Sequence, residues 1–189
     1  MGPGQIWTAT LLDAPLTRES YDLVFARWVF LFLEDPEAHL RKIVRALRPG
    51  GCLALQDYHR ETWALVPRPP EWVDFLAADR AFFASQGGDV SVGGRLPELY
   101  RKVGLEVVET VPTVKTGHPG SAVWEWLTAY FLSVVDRYAR FRPFTPQKAA
   151  RLRRWWRAAA RHRTSLLIAP AMLDVVGRRP VGGAARRRS

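Results

Sequence analysis

The strongest constraint on the fold lies between Tyr21 and Gln56. Tyr21-Asp22-Leu23-Val24-Phe25 is a short β-rich run bounded by polar residues, which predicts a buried strand. Asp35-Pro36-Glu37 then has the form of a helix start, with Asp as N-cap, Pro in the first turn and an acid near the positive end of the dipole. Leu40, Ile43, Val44 and Leu47 recur on one helical face, while Arg41, Lys42, Arg45 and Arg48 fall on the outer side or in the last turn. Pro49-Gly50-Gly51 ends the helix, and Cys52 to Gln56 is the next apolar strand. Strand, helix, glycine stop and strand in so short a span form a βαβ unit, whose strands are parallel and whose crossover is right-handed.

The remainder alternates in the same way. The spacing predicts helices near 71–85, 96–103, 121–138 and 145–162, the last opened by Thr145-Pro146, and strands near 105–111 and 172–177. A short strand near Ile6 to Leu12 is the only element expected before Tyr21. The fold class is therefore α/β: a Rossmann-like, doubly wound, mostly parallel sheet with a helical lid or insertion. One domain over residues 1–180 is expected, with lid segments near 60–90 and 121–162 and a disordered basic tail over 181–189.

Composition narrows the class. The chain has 189 residues, of which 48% are hydrophobic, enough for a sizeable core. The longest apolar run, Trp28 to Leu33, is far too short for a membrane span, and the first residues lack the pattern of a signal peptide. Cys52 is the only cysteine, which excludes an internal disulfide and a cysteine-built zinc site, so a cytoplasmic protein without membrane contact is expected. His39, His118 and His162 have no metal-ligand spacing, and no metal is expected. No Gly-x-Ser-x-Gly elbow or P-loop occurs. The net charge of +10 is concentrated in the second half, notably Arg151, Arg153, Arg154, Arg157, Arg161 and Arg163. A solvated helix face accounts for it; a non-catalytic or nucleic-acid-binding module using those arginines is the alternative, tested by the salt dependence of affinity.

Taken in order, Tyr21-Asp22-Leu23-Val24-Phe25, Glu34-Asp35-Pro36-Glu37 and Leu47-Arg48-Pro49-Gly50-Gly51-Cys52-Leu53 resemble the fourth to fifth strands of a class I S-adenosylmethionine-dependent methyltransferase. The likeness is greatest to the small-molecule branch typified by ubiquinone and menaquinone biosynthesis. Gly94-Arg95-Leu96-Pro97 to Gly104-Leu105 is similar to the family's helix before its sixth strand, and Ala169-Pro170-Ala171-Met172-Leu173 to Arg179-Pro180 to its last strand. The resemblance covers residues 8–180 and implies methyl transfer from S-adenosylmethionine to a small acceptor, apolar or aromatic. The family's glycine-rich loop after its first strand has no counterpart here, since Met1-Gly2-Pro3-Gly4 follows no strand. The resemblance thus implies a domain lacking its N-terminal part, weak or absent cofactor binding and activity, and self-association through an exposed edge at Tyr21–Phe25.

The resemblance also assigns roles. Ala26, Arg27 and Trp28 leave the first strand where the family contacts the methionine part of the cofactor, and Leu12, Asp13 and Ala14 lie near its adenine loop. Asp57, Tyr58 and His59 leave the next strand toward the acceptor. His59 suits a general base, and Asp57 or Tyr58 a hydrogen-bonding role. Trp63, Phe82, Arg95 and Trp126 are candidates on the acceptor side, the aromatic ones serving equally well as core.

Overall fold

The computed structural model describes residues 11–181. Its first regular element is strand β1 (Tyr21–Arg27), followed by helix α1 (Pro36–Ala46) and strand β2 (Leu47–His59). The Asp35 side chain accepts from the Ala38 amide at 2.9 Å, and Pro36 opens the first turn, so α1 starts where its capping residues predict. Leu40, Ile43 and Ala46 bury the inner face of α1. Pairing of β1 with β2 is parallel, with Leu23 opposite Cys52 and Arg27 opposite Gln56, which confirms the βαβ unit.

A short strand β3 (Ala64–Val66) leads to α2 (Trp72–Ala84) and α3 (Val92–Lys102). Then come β4 (Glu106–Thr113), β5 (Thr116–Gly117), α4 (Ala122–Tyr138), α5 (Pro146–Ala159), β6 (Leu166–Ile168) and β7 (Ala171–Arg178). The main sheet has the order β1-β2-β7-β4, and β3-β6-β5 form a second, antiparallel sheet. The α/β class is as expected. The sheet differs in direction: β7 inserts between β2 and β4 and is antiparallel to both, so only the β1–β2 pairing is parallel. The small sheet was not expected, because strands of two or three residues carry no readable alternation. The predicted strand near Ile6 to Leu12 falls mostly outside the described residues, and its last two positions form a turn; of the tail expected over 181–189, all but Val181 lies outside them too.

Two cores result. One, between the main sheet and α1 and α3, contains Leu40, Ile43, Leu53, Leu55, Leu96, Leu99, Tyr100 and Val175. The other is aromatic: Trp63, Trp72, Phe75, Trp124, Phe131, Tyr138, Phe144 and Trp156 fill the space between α2, α4 and α5. Phe82 packs against both. The segments expected as lids thus share one core, held by rings such as Phe131 and Trp156, stacked at 4.3 Å. The arginine-rich α5 belongs to this body, with Arg151 paired to Glu71, Arg153 to Asp136 and Lys148 to Asp74. Its charge is partly neutralised by α2 and α4, while Arg154, Arg157, Arg161 and Arg163 are exposed and have no ion pair among the described residues. Among the described residues no helix is long and apolar enough to cross a membrane, and no group of side chains could hold a metal.

Candidate functional site

Ligands of open α/β sheets sit beyond the carboxyl ends of the strands. Beyond β1 and β2 lies an apolar cavity of about 330 Å³, walled by Trp28, Phe32, Tyr58, Phe83, Trp126 and Tyr130, with Leu31, Arg60, Leu127 and Pro170 completing the lining. That volume suits a small organic molecule.

The turn after β1 is held in an unusual conformation. Trp28 has φ of 56°, in the left-handed region that side chains other than glycine seldom adopt, and its amide donates to the Gln56 carbonyl at 3.0 Å. The turn therefore sends the Trp28 indole into the cavity mouth, stacked on Tyr58 at 5.7 Å, while the Arg27 guanidinium lies 4.2 Å from the Trp28 ring centre. Arg27 has no ion pair among the described residues. Ala26 faces inward and packs on the core under the main sheet.

Asp57 fastens the two strand ends together. It is buried, and its carboxylate oxygens accept from the Leu31 amide at 3.1 Å and the Tyr58 amide at 2.9 Å. Burial raises its pKa above the usual carboxylate value, against the lowering effect of those amides. Asp57 thus orients the loop that carries Leu31 and Phe32, and does not line the cavity. Burial raises the pKa of Tyr58 as well, with Arg60 and Arg27 acting against it.

The floor of the cavity is charged. Arg60, buried at the end of β2, donates from Nη1 to Asp79 Oδ1 at 3.1 Å. The same oxygen accepts from the Tyr138 hydroxyl at 2.7 Å, and the Tyr138 and Tyr130 hydroxyls are 2.8 Å apart. Burial raises the pKa of Asp79, opposed by Arg60 and by the two tyrosine hydroxyls.

The sequence-derived candidates divide clearly. Trp28, Tyr58 and Trp126 meet in the cavity, with Arg27 beside Trp28. His59 does not line it: one residue beyond Tyr58 it turns to the helix side, where its Nδ1 would lie 2.9 Å from a Cβ on Gly94 and is buried without a hydrogen-bond partner. Trp63 is part of the aromatic core, and Phe82 packs there against Tyr138 and Phe141. Arg95 is exposed and paired with Asp89 at 2.7 Å. Leu12 does not line the cavity but a separate groove with Arg41, Lys42 and Arg45 of α1, and Asp13 and Ala14 follow it in the chain toward the start of β1. Phe83 and Tyr130 are among the aromatic residues that the sequence offers as a cover for an acceptor, whereas Arg60, Asp79 and Tyr138 were not singled out. The one available signal was an arginine directly after Asp57-Tyr58-His59, in a stretch otherwise dominated by aromatic residues downstream.

A family model described as "Methyltransferase domain" matches residues 3–55. The O-methyltransferase resE of Aspergillus sclerotiorum is 33% identical over 101 residues, which are 53% of this chain and 35% of that protein. The match thus spans about a third of the length of this curated relative. Two crystal structures share the fold at 14% identity. A Bacillus halodurans protein described as a methyltransferase superposes with a TM-score of 0.53 over 91% of this chain and 76% of its own. The YcgJ protein of Bacillus subtilis does so with a TM-score of 0.50 over 92% of this chain and 70% of its own.

Proposed function

We propose that this chain is a class I S-adenosylmethionine-dependent methyltransferase and that it serves methyl transfer to a small, apolar or aromatic acceptor bound in the cavity beyond β1 and β2. The observation that carries the reading is the cavity itself, aromatic on several sides and placed where an α/β sheet binds its ligands. The relative named as an O-methyltransferase favours oxygen as the accepting atom.

S-adenosylmethionine, when bound, supplies a methyl group activated by a positively charged sulfur. The described residues suit the methionine end of that molecule. Arg27, a cation without an ion pair among the described residues, is available to a carboxylate, and the Trp28 and Tyr58 rings offer faces that attract a sulfonium. Trp28 is held for this by its left-handed backbone and by the bond to Gln56. In-line displacement at sulfur depends chiefly on positioning, which the rings provide while they exclude water. His59 is directed away from the cavity and is not placed to take the acceptor's proton, so an acceptor hydroxyl loses its proton to water before its oxygen takes the methyl group.

Calorimetric titration with S-adenosylhomocysteine tests the donor side, on this chain and on the product of a reading frame carried further upstream. Heat of binding that weakens in Trp28→Ala supports the reading. No heat from either form, or a Trp28→Ala titration identical to that of the parent, overturns it.

A further inference from the structure

The main sheet is covered by helices on one face only. Val24, Leu53, Leu55 and Val175 turn toward α1 and α3 and share their core. The residues alternating with them form the opposite face. There β1 presents Leu23, Phe25 and Arg27, opposite Cys52, Ala54 and Gln56 of β2. On the far side β4 presents Glu109 and Val111, with Val108 in a bulge beside them. Leu23 is 60%, Phe25 65%, Val108 48% and Val111 42% exposed. Between these flanks Cys52, Ala54 and Val176 are only half-buried. An exposed apolar surface of that breadth marks an interaction site.

The chain's own ends are poor covers for it. Residues 1–10 join the described chain at Leu11, which packs on the helix-covered side, and ten residues laid out as one strand would cover only one strand of the four. Residues 182–189 hold no apolar side chain larger than alanine.

The two flanks of the face are instead complementary to each other. Beside its two apolar side chains β1 carries Arg27, and beside its valines β4 carries Glu109; neither charge has an ion pair among the described residues. We propose that this face docks a second copy of the chain, sheet on sheet, about a two-fold axis running along the strands. Such an axis lays β1 of each copy over β4 of the other, so that apolar meets apolar and Arg27 comes within reach of the other copy's Glu109. With five donors, Arg27 can hold a ligand carboxylate as well. Four strands about 4.8 Å apart, each facing the other copy over about seven residues, offer about 450 Å² of flat area per copy, and side-chain relief adds to it. That lies at the low end of specific interfaces, so a dissociation constant in the micromolar range is expected. The proposal is independent of what the cavity binds.

Cys52, the only cysteine, reports on this geometry without any substitution. It lies on the open face of an inner strand, so two-fold packing brings it within about 10 Å of the other copy's Cys52. Sedimentation equilibrium of the chain is expected to show monomer and dimer, and 1,2-bis(maleimido)ethane is expected to convert the dimer into a covalent one. Phe25→Glu should weaken the dimer by at least about tenfold, because it buries a charge against the valines of β4. Arg27→Glu should weaken it too, and Arg27→Glu/Glu109→Arg should restore it. A monomer at every concentration overturns the proposal and leaves the face bare or to a polypeptide absent from this chain. A dimer that the reagent does not link, or that persists in Ala54→Arg, is strand-to-strand pairing at the β1 edge and overturns it as well. Both decisive readings, the mass and the cross-link, come from the unaltered protein, whether or not the variants fold.

Discussion

Gly93 offers the sharpest test of how the site is held. It lies in the first turn of α3, where that helix meets the end of β2. A Cβ at this position would stand 2.5 Å from the Asp57 carbonyl oxygen and 2.7 Å from that of Tyr58. Both atoms are backbone of a strand hydrogen-bonded on both sides, so no side chain can swing away to make room. Gly93→Ala must instead push α3 off the strand. Overpacking of this kind costs about 1–3 kcal/mol, and rigid neighbours place it at the upper end. The higher helix propensity of Ala returns about 1 kcal/mol, leaving a net loss of about 2 kcal/mol. In a chain of this length that lowers the melting temperature by about 4–8 °C, measured by circular dichroism or calorimetry. Gly104 is the control. It has φ of +83° and open space where a Cβ would go, so its need for glycine is conformational. Gly104→Asn should recover most of the stability lost in Gly104→Ala, because Asn tolerates the left-handed region, whereas Gly93→Asn should be no better than Gly93→Ala. A Gly93→Ala protein that melts with the parent would refute the packing argument.

Acid titration reports on Asp57. Its folded pKa is raised by burial above the ordinary carboxyl value of 3.8, so its contribution to stability is most favourable below that value and declines as pH rises through the folded pKa. Asp57→Asn should flatten this part of the stability–pH curve in urea melts at successive pH values above 4; an unchanged slope would mean that the carboxyl is not the group responsible. On the outer face of β1, Leu23 is 60% and Phe25 65% exposed. We expect the parent protein to self-associate through this edge and Leu23→Glu/Phe25→Glu to reduce the association, as read by light scattering. A monodisperse monomer before substitution would dismiss that expectation.

Local chemistry made α1 legible in the sequence: Asp35 and Pro36 mark its start, and both act within a few residues of themselves. The βαβ unit followed, because its strand pairing is enforced by the short crossover. The place of β7 was not legible. Its alternating pattern announces a strand, but pairing with Cys52 to His59 and with Glu106 to Thr113 depends on the whole sheet. The site divides along the same line. Trp28 and Tyr58 could be placed because they end strands whose carboxyl ends define where ligands bind. His59 was expected to join them because the strand was read as ending at Gln56. Instead β2 continues to His59, and the alternation of a strand sends neighbouring side chains to opposite faces. Arg60 was invisible as a site residue because its partner Asp79 lies on another element and its neighbours Phe83 and Tyr130 on two helices.

The antiparallel insertion of β7 also bears on how the protein is made. Gln56 and Asp174 are hydrogen-bonded neighbours in the sheet although they are 118 residues apart in the chain. During synthesis the central strand β2, which carries Asp57, Tyr58 and His59, waits with one side unpaired until β7 has left the ribosome. Such late, non-local closure slows folding and leaves a β edge open to other chains in the interval. The nascent chain therefore carries an open β edge between the emergence of β2 and that of β7. The cavity beyond the strands, completed by Pro170 just before β7, is among the last features to form.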